Sequence, residues 1–325
     1  MRSITDIFTT LGERLRDFAT STESRTTIAL AVECNPWFTE QDICDAVEAI
    51  RTQMLDRAKL EEWLNAYPTA TTPQRVAIIM AGNIPLVGFF DLLCVLGSGH
   101  EAHIKPSSKD RVLTQYITDL LRSIEPSIPI YDYSTEEHYD MVIATGGEEA
   151  NRYFERHFAE TKRLLRGSRH SVAVLDGGES EAELRGLYKD ITAYSGLGCR
   201  SVSMIFAPVG HDIPLPKGEA YNPKLRRNIA SMRALYTLQG REFGDYGAFL
   251  TIEGTEFATS LANVVVQRYE DIADVRAWLG EHSEEIQCVV SHIEIEGAVA
   301  FGEAQHPRLS DYADGVDTMA WLVRG

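Results

Sequence analysis

From Arg75 onward the chain alternates short apolar runs with helix-like segments, and few folds accept that order. Val76-Ala77-Ile78-Ile79-Met80 is apolar throughout and too short for a helix, which marks a buried strand. A Gly-Asn-x-Pro turn follows, then a helical stretch from Leu86 to Leu96, then Gly97-Ser98-Gly99 as a stop. Ala102-His103-Ile104-Lys105 reads as a second strand, and Ser107-Ser108-Lys109-Asp110 opens a helix to Ser123. Ile128 to Tyr131 and Asp140 to Ala144 are further strands, and Glu148 to Phe158 is a helix. Strands separated by helices and joined by short turns predict βαβ units on a parallel sheet.

A second run of the same kind begins at Ser171-Val172-Ala173-Val174-Leu175. It continues with a helix from Glu181 to Tyr194, a strand from Val202 to Ala207 and a polar loop from Gly210 to Asn222. A helix from Pro223 to Leu238, strands Leu261–Tyr269 and Glu285–Val290, and an intervening helix Asp271–Gly280 complete it. The boundary between the halves falls near Arg166 to His170. Residues 1–65 read as helices, with Ile43, Val47, Ile50, Met54 and Leu55 at helical spacing. There Thr39 is placed to cap a helix, with Asp42 as a short capping-box acid.

Composition narrows the partners. At 325 residues, 44% of them hydrophobic, two domains are the default. A net charge of −17 argues against a nucleic-acid or anionic-membrane partner. The five cysteines, Cys34, Cys44, Cys94, Cys199 and Cys288, are spread out and form no C-x-x-C, so neither a disulfide framework nor a metal site is expected. Met1-Arg2-Ser3-Ile4-Thr5-Asp6 lacks an apolar signal core. The longest apolar stretch, Ile84 to Leu96, is broken by Asp91 and too short to span a bilayer. A soluble, cytoplasmic protein is expected.

Cys199 is the residue with most chemical potential. It lies in Ser195-Gly196-Leu197-Gly198-Cys199-Arg200-Ser201, between a helix and a strand. A tight glycine turn there can expose the sulfur and let backbone N–H groups stabilise a thiolate or an oxyanion. A small buried core residue is the other reading. Asn83, within Gly-Asn-x-Pro, reads as a turn residue. Lys105, at a strand end before a helix, is either solvent-exposed or faces a ligand crevice. Gly146 and Gly147 precede a helix N-terminus, where a pyrophosphate could approach.

These segments together resemble the aldehyde dehydrogenase superfamily and, within it, the LuxC-like acyl-CoA reductases. Ala81-Gly82-Asn83-Ile84-Pro85 stands at the superfamily's Pro-Trp-Asn-x-Pro turn, and Lys105-Pro106-Ser107 at its Lys-Pro-Ser. Thr145-Gly146-Gly147 matches Thr-Gly-Ser, and Gly196-Leu197-Gly198-Cys199 matches the nucleophile turn. Val264 to Val290 is similar to its Val-x-x-Tyr-x-Asp strand–helix–strand unit. The LuxC-like features are the run from Gly82 to Phe89, the tail Asp311-Tyr312-Ala313-Asp314-Gly315-Val316-Asp317-Thr318-Met319, and Asn35-Pro36-Trp37-Phe38-Thr39. The resemblance implies two Rossmann-like α/β domains with a cleft between them. Residues 1–168 would be the dinucleotide-binding domain, 169–295 the catalytic domain, and 296–325 would return to the first.

The implied activity is NADPH-dependent reduction of an acyl-CoA or acyl thioester to the aldehyde. Cys199 would form the acyl-enzyme, and the Asn83 amide and Cys199 N–H would hold the oxyanion. Lys105, Ser107, Ser108, Gly146 and Gly147 would bind the cofactor. Ser108 stands where NAD-preferring relatives often carry Glu, so NADP(H) is permitted alongside NADH. An acyl-carrying partner enzyme or a homo-oligomer is compatible with this.

Two departures follow from the alignment. Arg166 falls where aldehyde-oxidising members place the glutamate that activates water, which favours reduction over hydrolysis. Thr259-Ser260-Leu261-Ala262-Asn263 stands in place of the Glu-x-Phe-Gly motif that places the nicotinamide ribose. Two other readings therefore stay open, a cysteine thioesterase or acyltransferase and a non-catalytic acyl-binding subunit. The basic residues Lys224, Arg226, Arg227 and Arg233 read as a solvated helix face, and His170 as a hydrogen-bonded structural histidine.

Overall fold

The computed structural model describes residues 2–324; Met1 and Gly325, the outermost residues of the expected first domain and its returning tail, lie outside them. The chain divides into two compact units, Met1–Ser168 with Pro307–Gly325, and Arg169–His306. The tail thus joins the first unit from Pro307, not from residue 296. Residues before Pro307 stay with the second unit because Asp190 accepts the N–H groups of Gly302 and Ala304, at 2.6 and 3.1 Å. A side chain at Gly186 would meet the Phe301 backbone at 2.7 Å, so helix and loop touch main chain to main chain there.

The first unit holds a five-stranded parallel sheet. Its strands are β1 (Arg75–Ile79), β2 (Glu101–Lys105), β3 (Ile130–Asp132), β4 (Met141–Thr145) and β5 (Lys162–Arg166), in the order β3-β2-β1-β4-β5. The order reverses between β1 and β4, and in such sheets the crevice at that reversal, beyond the strand C-termini, takes the ligand. The amphipathic helix Arg111–Ile124 buries Leu113, Ile117, Leu121 and Ile124. It packs against helices Ile4–Arg14 and Thr22–Cys34. The N-terminal helices begin at side-chain caps, Ser3, Ser21, Thr39 and Asp56, and Thr39 with Asp42 forms a full capping box.

Helix Phe89–Gly97 is the centre of this unit. It is apolar on nearly all sides, yet carries the buried Asp91. Arg166, at the end of β5, meets that carboxylate with two bonds, Nε to Oδ2 at 3.2 Å and Nη2 to Oδ1 at 2.7 Å. The guanidinium also donates to the Ala313 carbonyl at 3.0 Å and the Thr318 hydroxyl at 2.8 Å. Burial disfavours the Arg166 charge, but Asp91 outweighs it and the pKa is raised. The returning tail is fixed further by Trp63 and Tyr67, which both bond the Tyr312 hydroxyl, and by Tyr67 donating to Asp317.

The second unit holds a six-stranded sheet. Its strands are β6 (His170–Val174), β7 (Val202–Pro208), β8 (Gly244–Asp245), β9 (Leu250–Glu253), β10 (Asn263–Tyr269) and β11 (Ile286–Val290), in the order β11-β6-β7-β10-β9-β8. All neighbours are parallel except β8 against β9. Three strands differ from the sequence reading. Lys-Arg-Leu-Leu-Arg of β5 is too charged to read as a strand, and β8 and β9 are too short to show a period. The helix expected from Leu86 begins at Phe89, because Leu86 has a left-handed φ of 55° and belongs to the turn. No helix among the described residues is long and apolar enough to cross a membrane.

The Asp91–Arg166 pair yields a stability prediction. Asp91→Ala leaves the guanidinium buried without its counter-charge and should lower unfolding free energy by ~3–5 kcal/mol in a urea titration. Replacing both, Asp91→Leu with Arg166→Met, should recover most of that loss.

Candidate active site

In the first unit, the residues singled out from the sequence gather where the strands end. Asn83 follows β1, Lys105 closes β2, and Gly146-Gly147 follow β4. Because β1 pairs with both β2 and β4, all three loops leave the same edge of the sheet side by side. Asn83 is half-buried in the turn from Gly82 to Leu86. That turn lies against the loop after β2: a Cβ at Gly82 would fall 2.6 Å from the Ser107 hydroxyl oxygen and 3.2 Å from the Asp110 Cβ. Only glycine permits this approach.

Lys105 is exposed, with its ammonium 5.4 Å from the centre of the Tyr133 ring. Tyr133 in turn stacks on Tyr139 at 5.1 Å. Ser107 shapes its own loop: its hydroxyl accepts the Lys109 N–H at 3.3 Å and its carbonyl accepts the Asp110 N–H at 3.1 Å. Ser108 is exposed.

The two glycines after β4 differ. Gly146 donates to the Arg166 carbonyl, and a Cβ there would sit 2.7 Å from Ala150, so close packing requires glycine. Gly147 is the N-cap of helix Glu148–His157 and faces open space, with nothing within 4 Å of a built Cβ. An anion could reach that backbone, although Glu148 and Glu149 in the first turn oppose it. A dinucleotide fits this edge through the exposed Lys105 ammonium, the Ser107–Ser108 loop and the open ground before Gly147.

In the second unit, Cys199 lies in the connection from helix Glu181–Thr192 to β7, at the entry end of the strand. Helix and strand are joined by three consecutive left-handed residues, Tyr194 (φ 51°), Ser195 (φ 58°) and Gly196 (φ 74°). Two of them carry side chains, and such strain persists only where the surroundings impose it. Ser171 on β6 donates its hydroxyl to the Cys199 carbonyl at 2.8 Å, and Ser201 donates to the Ala193 carbonyl at 3.3 Å. Cys199 is half-buried, between a core residue and an exposed thiol.

Asp190 supports this region from below. It is 1% exposed, and burial lifts its carboxyl to about 7 against the pull of the Gly302 and Ala304 N–H groups. The loop it holds carries Gln305, which donates to Ser201 at 3.4 Å. His170 is stacked on Phe257 at 4.0 Å, with Nδ1 3.1 Å from the Ser203 hydroxyl, and burial pushes its pKa down. On helix Pro223–Gln239, Arg233 pairs with Asp245 while Lys224, Arg226 and Arg227 are exposed. Asp176, Glu179 and His292 offer atoms within 4.8 Å of one another, but these knot a loop together: Glu179 accepts the Asp176 and Gly177 N–H groups, and His292 pairs with Asp176 and Glu183.

Sequence reasoning missed Asn35, Asp91, Asp110 and Asp190 as structural polar groups. The available signal was a charge in an apolar surrounding. Asp91 interrupts an otherwise apolar run, and Asp190 falls on the apolar side of its helix with Leu187 and Ile191.

Known proteins place this architecture. Aldehyde dehydrogenase 21 from Physcomitrella patens, solved with succinate, superposes with a TM-score of 0.63 at 12% identity, over 98% of this chain and 82% of that one. The NAD+ complex of an aldehyde dehydrogenase from Bacillus cereus gives 0.58 at 14% identity, over 89% and 72%. The fold is that of the aldehyde dehydrogenases, two Rossmann-like α/β units.

Within that fold the sequence is more specific. A family model described as acyl-CoA reductase (LuxC) matches residues 16–215, and the chain belongs to that family. Long-chain acyl-protein thioester reductase of Aliivibrio fischeri is 25% identical over 242 residues, 68% of this chain and 48% of that protein. Long-chain acyl-protein thioester reductase 2 of Photobacterium leiognathi is 24% identical over 253 residues, 71% and 50% respectively. The chain thus spans about half the length of the curated relatives it matches.

The raised Asp190 carboxyl has a measurable consequence. Between its unfolded value of about 3.9 and its folded value of about 7, the folded chain holds the extra proton. Stability should therefore decline across that window as pH rises, and level off above it. Asp190→Asn should flatten this part of the profile in thermal melts taken across the same range.

Proposed function

We propose that this protein reduces an acyl thioester, acyl-CoA or acyl-protein, to the corresponding aldehyde through an acyl-enzyme on Cys199. Family membership supports the reaction class, and the strained turn ahead of Cys199 is the observation that carries the choice of nucleophile. The Cys199 thiolate adds to the thioester carbonyl carbon, the bond to the leaving thiol breaks, and that thiol departs taking a proton. The acyl group is then held on Cys199 as a new thioester. A reduced nicotinamide cofactor, when bound, would supply hydride; with hydride on the carbonyl carbon, the C–S bond to Cys199 would break, its electron pair returning to sulfur as the thiolate and the aldehyde leaving.

Both additions build negative charge on the same oxygen. The Asn83 amide and the Cys199 N–H are assigned to that charge. Lys105, Ser107, Ser108, Gly146 and Gly147 are assigned to the cofactor, with Lys105 on the adenosine ribose and Gly147 toward the pyrophosphate. Arg166 adds support for reduction over hydrolysis: it is locked in an ion pair with Asp91 and cannot serve as a base for water.

NADPH is the preferred donor in this reading, with NADH accepted. Ser108 presents no carboxylate against a 2′-phosphate, and Lys105 and Lys109 are exposed on the same loop. Ser108→Glu should shift preference toward NADH in steady-state comparisons. A wild type that already uses NADH better would remove the loop from cofactor selection.

The chemistry is tested on the acyl-enzyme. Cys199→Ala should abolish both labelling by a radioactive acyl-CoA and aldehyde release. Asn83→Ala should still be labelled, ~10²–10³-fold more slowly. Without reduced cofactor, the label on wild type should persist through gel electrophoresis. Its rapid loss as free fatty acid would reassign the site to a cysteine thioesterase.

A further inference from the structure

Two buried polar side chains outside the proposed chemistry touch the turn that carries Asn83. Asn35, 3% exposed, donates its side-chain N–H to the Gly82 carbonyl at 3.3 Å, and its Oδ1 accepts the Trp37 N–H at 3.1 Å. Asp110, 4% exposed, accepts the Leu86 N–H on Oδ2 at 2.8 Å. The turn is thus gripped at Gly82 and at Leu86, with Asn83 between them. Leu86 is held in a left-handed conformation, φ 55°, which a leucine does not keep unaided. Gly82 lies so close to Ser107 and Asp110 that the turn has no room to sink further.

We propose that Asn35 and Asp110 are positioning residues that fix the Asn83 amide. This rests on the reading of Asn83 as the oxyanion donor, and it gives the Asn35-Pro36-Trp37-Phe38-Thr39 segment a role in the reaction. The Asp110 grip works with the carboxyl neutral. Its Oδ1 has no hydrogen-bond partner, and a buried carboxylate with a single N–H would be strongly disfavoured. Burial pushes the group up to about 8, opposed only by the Leu86 N–H. Gly82 and Leu86, which touch it from the turn after β1, do not titrate; its charged neighbours in sequence, Lys109 and Arg111, are exposed, and it has no ion pair among the described residues. Above that pH the grip acquires a buried charge and loosens.

The test uses the full chain and two independent readouts. The first is backbone amide exchange of the segment from Gly82 to Gly88 without substrate, compared with wild type at the same pH. The second is the single-turnover rate of Cys199 acylation by palmitoyl-CoA, from about pH 6 to about pH 9. Asn35→Ala and Asp110→Ala should speed exchange there and lower the maximal acylation rate by ~10- to 10²-fold, with little change in the half-saturating palmitoyl-CoA concentration. Asp110→Asn, neutral and still able to accept from Leu86, should recover most of the rate lost in Asp110→Ala. It should also lack the alkaline fall expected of wild type near pH 8.

Wild-type exchange and acylation in both alanine variants would overturn the proposal. Should Asp110→Ala not fold, an alkaline limb in Asp110→Asn identical to that of wild type would overturn it equally. If the alanine variants exchange faster than wild type as expected but wild type is never acylated on Cys199, the thioester reading fails while the grip on the turn stands.

Discussion

The buried pair between Asp91 and Arg166 joins three separate parts of the first unit. Asp91 belongs to the central apolar helix, Arg166 to the last strand of the sheet, and Ala313 and Thr318 to the returning tail. A buried pair of this kind is weak as a source of stability, because desolvation offsets most of its attraction. Its force is conditional. Once three of the groups are in place, the fourth has one acceptable position, since any other leaves a charge in the core. The tail is therefore placed by electrostatics as much as by the packing of Met319 and Leu322.

That pair also shows what could be read from the sequence. The alternation of apolar runs and helices was legible because strand and helix periods are local, and it located the loops carrying Asn83, Lys105, Gly146 and Cys199. What stayed hidden depends on contacts distant in the chain. Arg166 lies 75 residues from Asp91, and nothing near Arg166 announces its partner. Leu86 read as the first residue of a helix on its apolar spacing, but the hydrogen bond to Asp110, 24 residues on, holds it in the turn. The helix read as far as Tyr194 stops at Thr192, because Tyr194 and Ser195 are already left-handed and no glycine at either position announces it.

The two units use their sheets differently. In the first, the assigned cofactor residues and Asn83 leave from strand exits, where parallel sheets leave backbone groups and loops free to meet a ligand. In the second, the cysteine precedes its strand, so its place is set by how helix Glu181–Thr192 stops. Three left-handed residues make that stop abrupt, and Ser171 then pins the Cys199 carbonyl to the neighbouring strand. The Cys199 backbone is thereby fixed while its side chain stays half-buried.

The charged composition that concealed β5 bears on how the first unit behaves among its copies. An outermost parallel strand offers a row of unpaired backbone groups that can template the addition of another chain. Lys162 and Arg163 lie on that strand, and the Lys162 ammonium is drawn across the Trp321 ring toward the Trp321 carbonyl. Arg163 turns back to the carbonyls of Phe158 and Ala159. The edge is thus both charged and occupied. Neutral, β-branched residues at these two positions would make the strand easier to recognise and the protein more prone to aggregate.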